Sequence, residues 1–561
     1  MKILSLHCDY IKFQAKKKAI KDAEEASDKE HEIKECLVIL TAVEKGDEKN
    51  TEEISKKLVE QIKDIANQVK TSNIVLYPYA HLSSNLSNPQ KALEVLKKAE
   101  KLLSNEFMVT RAPFGYYKSF EIKVKGHPLS ELSREFTAET EAKETYDYQN
   151  LLREISKTKL SKEKLKENDH RIIGKQLNLF SFSEMAPGMV FWHPKGWIIN
   201  NELIKFWREE HRKAGYQEIS TPVILDKKLW QISGHWEKYK DNIFITEYDK
   251  RTFAIKPMNC PGGILVYKSQ LRSYREFPIK MSELGLVHRQ ELSGVLGGLF
   301  RVIQFVQDDA HIYCTEEQIE GEMENIFSLT EKIYSTFGLK YNIELSTRPE
   351  KRIGTDKMWD KSEKTLENVL KKKKIKYKLN KGDGAFYGPK IDFHIKDSLG
   401  RTWQCGTIQL DFSMPERFDL TYEGKNGKKE RPVMIHRTVY GSIERFIGMI
   451  LEDFSGKLPL WINPNQIKIV TVNDRNNKFG REIFEKLKEF RIELDNRNET
   501  ISKKIREAQL DKFNYVITIG DKEEENKTLA IRTRDGKVTF GVKIEDFIRE
   551  IREEINKRLM K

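Results

Sequence analysis

The first 137 residues alternate between two patterns of apolar positions. In some runs every second residue is apolar, which predicts half-buried strands, and in others apolar residues recur at helical spacing. The predicted strands are residues 2–7, 35–43, 73–77 and 117–124, and the predicted helices are residues 53–69 and 89–104. This order of elements predicts a small α/β domain over residues 1–137.

Residues 138–168 have no comparable apolar pattern. The segment is almost entirely polar and ends in KTKLSKEKLKEN. Such a composition predicts a solvated helical linker, and contact with a nucleic-acid backbone is the alternative.

Two further regions follow. Residues 169–460 are rich in aromatic residues and hold most of the tryptophan and glycine, and the lysine run at 370–378 predicts the end of a surface helix. Pro459 and Pro464 bracket the next predicted boundary. Within residues 461–561, the predicted strands alternate with helical segments, which indicates a compact α/β domain with a mixed sheet. These strands are residues 467–472, 491–494, 515–519 and 528–532.

Length and composition narrow the class of protein. A chain of 561 residues is too long for one core and predicts three to four domains. The formal net charge of +13 favours a polyanionic partner, although a lysine-rich solvated surface would give the same number. The five cysteines form no CxxC pair, which fits a reducing compartment. With no apolar run of about 18 residues and no signal-like amino terminus, we expect a cytoplasmic protein without a membrane partner.

The central region carries four segments that resemble the catalytic core of class II aminoacyl-tRNA synthetases, and within that class the threonyl-tRNA synthetase family. Residues 169–196, DHRIIGKQLNLFSFSEMAPGMVFWHPKG, are similar to the opening of that core. Residues 214–222, AGYQEISTP, resemble motif 1, a helix-to-strand element at a dimer interface. Residues 288–314, beginning HRQE, resemble motif 2, and residues 436–445, HRTVYGSIER, resemble motif 3. The resemblance implies an antiparallel-sheet core, a homodimer formed through motif 1, and the substrates ATP, L-threonine and tRNA(Thr).

The resemblance assigns three arginines to ATP. Arg289 would contact the α-phosphate, Arg445 the γ-phosphate, and Arg301 would lie near the triphosphate. A guanidinium suits this role because it stays protonated and binds phosphate in a bidentate fork. Mg²⁺ bridging the phosphates is expected, but no residue marks its site.

Cys260, in KPMNCPGG, matches a zinc ligand of the family together with His311 and His436. Three protein ligands leave an open coordination position for substrate. Because the three residues are far apart in sequence, spacing alone would not have revealed them. Cys314 and Cys405 are predicted to be buried structural thiols.

The family match also implies a threonine pocket around the metal. Asp309 would hold the α-ammonium group, and four further residues would line the pocket: Gln307, Tyr387, Lys390 and Gln409. A pocket that satisfies the threonine hydroxyl would reject valine by a factor of about 10⁴ or more. His235 matches a histidine linked to aminoacyl transfer, and its imidazole could move a proton near neutral pH; a purely structural role is the alternative.

Serine keeps the hydroxyl group and lacks one methyl, a difference of only about 1–3 kcal/mol, so a second, hydrolytic site is expected. Residues 1–137 resemble the archaeal editing domain, which is similar to D-aminoacyl-tRNA deacylases, in the segments MKILSLHCDYIKF, YPYAHLSS and RAPFGYYK. The resemblance implies an editing site lined by His81, Tyr117, Lys118 and Glu131. A capping role for His81, and a domain that only docks tRNA, are the alternatives.

Residues 461–561 resemble the anticodon-binding domain shared by threonyl, prolyl, histidyl and glycyl enzymes. Glu523 and Arg532 could read base edges of a single-stranded loop, or could form salt bridges at its rim. For the whole chain, the alternatives are another class IIa synthetase (prolyl or seryl) and a non-catalytic, synthetase-like RNA-binding regulator. The complete set of arginines and zinc ligands favours the threonyl enzyme.

Overall fold

The computed structural model describes residues 1–137, 165–396 and 400–560. The chain divides into two compact units, Met1–Tyr148 and Gln149–Lys561. Residues 138–164 of the predicted helical linker lie outside the described ranges. Among the described residues, no helix is both long enough and apolar enough to cross a membrane.

The amino-terminal unit is a mixed β-sheet with two helices. Its strands are β1 (Lys2–Lys18), β2 (His31–Ala42), β3 (Asn73–Pro78), β4 (Met108–Arg111), β5 (Tyr116–Val124) and β6 (Glu131–Glu135), and its helices are α1 (Thr51–Val69) and α2 (Pro89–Leu103). The strand order is β4-β3-β2-β1-β5, and β6 pairs with the other end of β1. The predicted strands and helices are all present, but β1 continues eleven residues beyond the predicted end at His7 because it pairs with both β2 and β5 there.

Both faces of this sheet carry buried apolar side chains. Ile54, Leu58 and Val95 of the two helices pack with Ile39 and Leu76 on one face. The other face carries a second buried cluster with Ile11, Phe13, Val38, Val75 and Tyr77. Alternation along each strand therefore supplies two cores, since successive side chains point to opposite faces.

The carboxy-terminal unit is built around an eight-stranded sheet in the order β16-β15-β17-β18-β21-β14-β13-β9. Apart from the parallel pairs β9/β13 and β15/β16, these strands pair in antiparallel fashion. The strands of this region are β7 (Phe180–Ser183), β8 (Ala186–Trp192), β9 (Gln217–Glu218), β10 (Ile224–Asp226), β11 (Ile245–Tyr248), β12 (Arg251–Ile255), β13 (Ile279–His288), β14 (Gln304–Cys314), β15 (Tyr341–Ser346), β16 (Tyr377–Asn380), β17 (Lys390–Lys396), β18 (Thr402–Asp411), β19 (Tyr422–Glu423), β20 (Lys429–Glu430) and β21 (Val433–Ser442).

Helices pack around this sheet. They are α3 (His170–Gln176), α4 (Pro194–Lys213), α5 (Lys227–Ser233), α6 (His235–Lys238), α7 (Cys260–Lys268), α8 (Ile319–Thr336), α9 (Asp356–Lys372), α10 (Ser413–Arg417) and α11 (Ile443–Asp453). Helix α4 leads into β9, the helix-to-strand order predicted for motif 1. Helix α9 ends within the lysine run, as predicted for that run.

The last hundred residues form a second, five-stranded sheet in the order β23-β22-β24-β25-β26. Its elements are β22 (Ile467–Thr471), α12 (Asn477–Leu487), β23 (Ile492–Asp495), α13 (Ile501–Leu510), β24 (Tyr515–Ile519), α14 (Asp521–Asn526), β25 (Leu529–Thr533), β26 (Val538–Val542) and α15 (Ile544–Asn556). The sheet is mixed, as predicted, because β22 pairs in parallel with β23 and β24 while β25 and β26 are antiparallel.

The chain between the two sheets packs in both directions. Leu460 belongs to the core of the five-stranded sheet, whereas Trp461 and Ile462 belong to the core of the eight-stranded one. The predicted multidomain architecture is confirmed: along the chain, an α/β domain is followed by a largely antiparallel core and then by a second α/β domain. The predicted boundaries between 168 and 169 and between 460 and 461 stay predictions.

Candidate active site

Cys260, His311 and His436 come together although the first and the last lie 176 positions apart in the sequence. His311 lies on β14 and His436 on the adjacent strand β21, where the two are directly paired across the antiparallel ladder. Directly paired residues point to the same face of a sheet, and here the two rings lie 5.0 Å apart between centroids. Cys260 begins α7. The possible ligand atoms of all three buried residues lie within 4.8 Å of one another.

The surroundings of this triad fit a metal ion. The Nε2 atom of His311 is buried and has no hydrogen-bond partner. His436 Nε2 lies 2.9 Å from Asp411 Oδ2, which fixes the ring and leaves its Nδ1 atom for another role. Burial raises the pKa of the Cys260 thiol well above its ordinary range, and a bound cation would oppose that effect by stabilising the thiolate. The donor set of one thiolate and two imidazoles is typical of zinc.

A second buried triad, Asp169, His170 and Glu452, has similar spacing but different chemistry. His170 Nδ1 lies 2.7 Å from Glu452 Oε1, and His170 Nε2 accepts a hydrogen bond of 2.9 Å from the backbone N–H of Leu299. Because both imidazole nitrogens are already engaged, this triad is a hydrogen-bond network. It holds the loop within motif 2 that contains Leu299.

A cavity of about 330 Å³ opens beside the zinc-like triad. Cys260 and His436 line it, together with four of the residues predicted for the threonine pocket and one of the predicted phosphate ligands: Asp309, Gln307, Tyr387, Gln409 and Arg289. Burial raises the pKa of the Asp309 carboxyl to about 7. The Gln307 Oε1 atom is buried without a hydrogen-bond partner, and the Tyr387 hydroxyl donates to Gln409.

Lys390 is not among the residues that line this cavity. It is paired with Gln409 across β17 and β18, but its ammonium group is held 3.2 Å from Asp383 and 3.0 Å from Asp392. The family resemblance predicted that Lys390 lines the pocket. The contacts with these two carboxylates explain why its ammonium group lies outside the pocket in the structure.

His235 is fully buried at the start of α6. Its Nδ1 atom lies 2.8 Å from Ser233 Oγ and its Nε2 atom 2.9 Å from Met258 Sδ. Burial, with a smaller contribution from nearby positive groups, lowers the pKa of the imidazole to about 3. The ring is therefore neutral near pH 7, which differs from the expected titration in that range; its role in aminoacyl transfer stays a prediction.

A second cavity, of about 400 Å³, adjoins the first. Arg289, Arg301 and Arg445 all line it, and Arg289 lines both cavities. Arg445 follows the helix cap Ser442 and donates to the backbone oxygens of Phe300 and Gln404. Its pKa is lowered by burial and by the other two arginines. Three cations that converge in this way create a positive potential suited to a polyphosphate.

Several residues at this cavity were missed by the sequence analysis. Glu291 pairs with Arg301 at 3.0 Å, and Trp403 stacks on Phe300 with centroids 4.3 Å apart. Glu291 belongs to the HRQE segment of motif 2 and could have been identified from it. No sequence motif identifies Trp403, because it reaches the cavity only through the pairing of strands that are distant in sequence.

Asp308 was also missed. Its carboxylate accepts hydrogen bonds from the backbone N–H groups of Val439, Tyr440 and Gly441, and so fixes the chain just before Arg445. Burial raises its pKa to about 6 in spite of these donors. The sequence position of Asp308, directly before the predicted pocket residue Asp309, was the one feature that could have indicated its role.

In the amino-terminal unit, His81, Tyr117 and Lys118 line one cavity of about 520 Å³. The Lys118 ammonium donates to the backbone oxygens of Pro113 and Tyr116 and lies 4.9 Å from the centroid of the Tyr77 ring. Burial lowers the pKa of Lys118 to about 8.

Glu131 does not line this cavity. Lys118 is paired with Ala15 of β1, whereas Glu131 is paired with Leu6 of the same strand. Nine residues of β1 separate the two positions, which corresponds to roughly 30 Å of extended strand. Within one chain, the structure therefore does not bring Glu131 to the other three predicted editing residues.

The two residues predicted to contact the anticodon are engaged locally. Glu523 accepts a hydrogen bond from the backbone N–H of Gly520 and caps α14. Arg532 donates to the backbone oxygen of Gly536 in the turn between β25 and β26. Neither of these contacts is a salt bridge of the kind named as the alternative, and the role of the two residues in reading bases stays a prediction.

Comparison with known proteins gives a consistent result along the chain. Residues 1–136 match the archaea-specific editing domain of threonyl-tRNA synthetase, residues 244–454 the class II core domain of the G, H, P, S and T synthetases, and residues 466–554 the anticodon binding domain. A threonine--tRNA ligase from Carboxydothermus hydrogenoformans is 56% identical over 397 residues, which is 70% of this chain. The aligned part spans 63% of the length of that relative.

Two solved structures are also similar. The RNA binding domain of threonyl-tRNA synthetase from Cryptosporidium parvum is 41% identical, with a TM-score of 0.67, and the match covers 69% of this chain and 98% of that one. A candidate threonyl-tRNA synthetase, ThrRS-1 from Aeropyrum pernix, is 27% identical with a TM-score of 0.62, covering 70% of this chain and 97% of that one. The chain thus belongs to the threonyl-tRNA synthetase family and carries the editing domain of its archaeal type.

Proposed function

We propose that this chain joins L-threonine to tRNA(Thr) with ATP, through a threonyl-adenylate. The observation that carries the proposal is the position of Arg289, which lines both the cavity beside Cys260 and His436 and the cavity that contains Arg301 and Arg445. A residue at that junction can contact an amino-acid carboxylate and the α-phosphate of ATP at once. In-line attack of one on the other requires such alignment.

Activation then depends on positioning and charge. Asp309 accepts a hydrogen bond from the α-amino group of threonine, and the carboxylate of threonine then faces Arg289. Arg301 and Arg445 hold the triphosphate, with Mg²⁺ accompanying ATP, and neutralise the charge that develops as pyrophosphate leaves. A guanidinium that is already oriented for bidentate contact with phosphate needs little reorganisation in the transition state. The pairing of Arg301 with Glu291 keeps one fork in place before ATP arrives.

Threonine is selected, on this proposal, by one zinc ion held by Cys260, His311 and His436. When bound, zinc supplies an open coordination position that suits the amino and hydroxyl groups of the substrate. Gln307, Tyr387 and Gln409 complete the wall of the pocket. Valine offers no hydroxyl group and leaves polar groups of the pocket unsatisfied.

We further propose that the amino-terminal domain hydrolyses seryl-tRNA(Thr). His81, Tyr117 and Lys118 share one cavity in a domain whose family is described as an editing domain. A cation such as Lys118 can stabilise the negative charge that develops on the ester oxygen, while the 2′-hydroxyl group of the tRNA assists the water. The carboxy-terminal domain binds the anticodon, two copies associate through motif 1, and the enzyme acts in the cytoplasm.

The double variant His81→Ala with Lys118→Met tests the division of labour. It removes an imidazole and a cation from the editing cavity and changes no residue of the two cavities that Arg289 lines. We expect charging with threonine to continue at its normal rate, while seryl-tRNA(Thr) accumulates when serine is supplied. Rapid clearance of preformed seryl-tRNA(Thr) by the double variant would contradict the editing site. Loss of threonine charging without accumulation of seryl-tRNA would instead support a domain that only docks tRNA.

A further inference from the structure

The segment between β1 and β2 forms one wall of the editing cavity. Ala19 and Ile20 line the cavity next to the loop between β4 and β5, residues 112–115, which precedes Lys118. The backbone N–H of Ala19 donates to the carbonyl oxygen of Gly115 at 2.8 Å. Gly115 has φ of +84°, and a Cβ atom there would lie 2.9 Å from Ile20 and from Ala23. Only glycine fits both the backbone angle and this close approach.

Glu24 fastens this segment to the same loop through three donors. Its two carboxylate oxygens accept from the Arg111 guanidinium at 2.6 and 3.0 Å, and one of them also accepts from the backbone N–H of Phe114. Arg111 in turn donates to Glu100 of α2 at 2.6 Å. The side chains of Glu24 and Arg111 are only 16% and 12% exposed. Burial by itself would raise the pKa of Glu24, but the hydrogen bonds from Arg111 and Phe114 lower it, so that the carboxylate stays ionised.

The loop that Glu24 contacts at Phe114 also positions the Lys118 ammonium group. The ammonium donates to Pro113 O at 2.9 Å and to Tyr116 O at 3.4 Å, so its position is set by the carbonyls on either side of Phe114. A hydrogen bond at Phe114 N–H fixes the peptide that follows Pro113. The carboxylate of Glu24 therefore acts on Lys118 in two ways, through the loop and through its negative charge.

We propose that Glu24 is a positioning residue of the editing site, which orients the Lys118 ammonium through the Arg111 and Phe114 contacts. This inference rests on the proposed editing function. The groups that face Lys118 are the Tyr77 ring on β3 and the carboxylate of Glu24, while His81 lies across the same cavity. The charge of Glu24 favours the protonated amine, against the effect of burial.

The test is deacylation of preformed seryl-tRNA(Thr) by the full chain carrying Glu24→Gln, measured across pH. Glutamine keeps the shape of the side chain and one acceptor oxygen but loses the charge and the bidentate contact with Arg111. We expect kcat to fall by about tenfold or more, as for a slightly misplaced catalytic group. We also expect the alkaline loss of activity to begin at lower pH than in the wild type, because the cation has lost a negative neighbour. Glu25→Gln, an exposed position with the same change of charge, is the matched control and should behave as wild type.

A double-mutant cycle with Lys118→Met separates positioning from simple support of the fold. If Glu24 acts through Lys118, adding Glu24→Gln to Lys118→Met should cost little further activity. Additive losses, or a uniform loss at every pH with a lowered unfolding temperature, would overturn the proposal. If Glu24→Gln does not fold, Glu24→Asp, which keeps the charge, should retain the wild-type alkaline limb at reduced kcat. Failure of the wild-type chain to hydrolyse seryl-tRNA(Thr) would instead refute the editing function itself.

Discussion

His436 and Asp411 form a buried pair in which the histidine Nε2 atom lies 2.9 Å from the aspartate Oδ2 atom. The other oxygen of Asp411 accepts hydrogen bonds from the backbone N–H groups of Ser413 and Met414. The imidazole is therefore held by a carboxylate that is itself fixed by the start of α10. This arrangement is typical of histidines that bind metals, where the outer carboxylate sets the tautomer and the orientation of the ring.

The first prediction concerns the ligands themselves. Cys260→Ala and His436→Ala should each abolish stoichiometric zinc binding and, with it, activation of threonine, because two remaining ligands cannot hold the ion in a tetrahedral site. Elemental analysis of the purified variants measures the first effect directly. Cys314→Ala, a buried cysteine on β14 that is not part of the triad, is the control and should keep its zinc. Full zinc content in both ligand variants would exclude the site.

Asp411→Asn should weaken zinc binding without abolishing it. The amide keeps the size of the carboxylate but removes its charge, so we expect the affinity to fall by about 10–100-fold. Competition with a chelator of known affinity measures this difference. Asp419→Asn changes an exposed aspartate that pairs with Arg431 and should leave the affinity unchanged. Equal affinities in the Asp411 variant and the wild type would mean that the pair serves only the fold.

Arg289→Lys should separate charge from geometry at the junction of the two cavities. Lysine keeps the positive charge but cannot form the bidentate fork, so kcat for threonine activation should fall by about a hundredfold or more, while the affinity for threonine changes much less. Steady-state pyrophosphate exchange with varied threonine and varied ATP gives both constants. Arg251→Lys, an exposed position paired with Asp226, is the control. Near wild-type exchange in the Arg289 variant would show that the position does not supply a fork.

Deacylation of seryl-tRNA(Thr) should decline at alkaline pH. Burial lowers the pKa of Lys118 from its ordinary value of 10.5 to about 8. The amine is therefore largely protonated at pH 7 and loses its proton as the pH rises through 8, so catalysis by the cation is lost in the same window. Tyr77, which faces it, has a pKa raised to about 12 by burial and does not titrate there.

The measurement is kcat/KM for deacylation between pH 6.5 and 9.5, corrected for uncatalysed hydrolysis of the ester, and we expect a drop of about tenfold per pH unit above the pKa. Lys118→Arg keeps its charge throughout this range, so any activity it retains should show no such decline. A wild-type rate that stays flat to pH 9.5 would contradict a role for the Lys118 cation.

Much of the fold could be predicted from local pattern. In residues 1–137 and 461–561, most of the predicted strands and helices lie within a few residues of their observed bounds, because burial on one face imposes a clear period on the sequence. No strand of the eight-stranded sheet was predicted from pattern. The short edge strands β4 and β6 were missed, since four or five residues with one paired neighbour need little apolar character. The extension of β1 was missed because its second half ends in a lysine run, which pairing with β5 carries into the sheet.

The site was predictable only through resemblance, and the departures have local causes. No period in the sequence links Cys260 to His436; the pairing of β14 with β21 and the start of α7 create their proximity. Lys390 lies one strand from the pocket, but two carboxylates hold its ammonium elsewhere. Glu131 is displaced from the editing cavity by the register of β6 on β1. Such effects depend on partners that are distant in sequence.

The central claim is that this chain activates threonine, and pyrophosphate exchange measured with each of the twenty amino acids tests it most directly. With zinc, Mg²⁺ and ATP present, we expect the greatest kcat/KM for threonine, a lower value for serine, and no exchange above background for valine. Greater exchange with proline or serine than with threonine would assign the chain to another class IIa synthetase. The absence of exchange with every amino acid would contradict the account and favour a non-catalytic RNA-binding regulator.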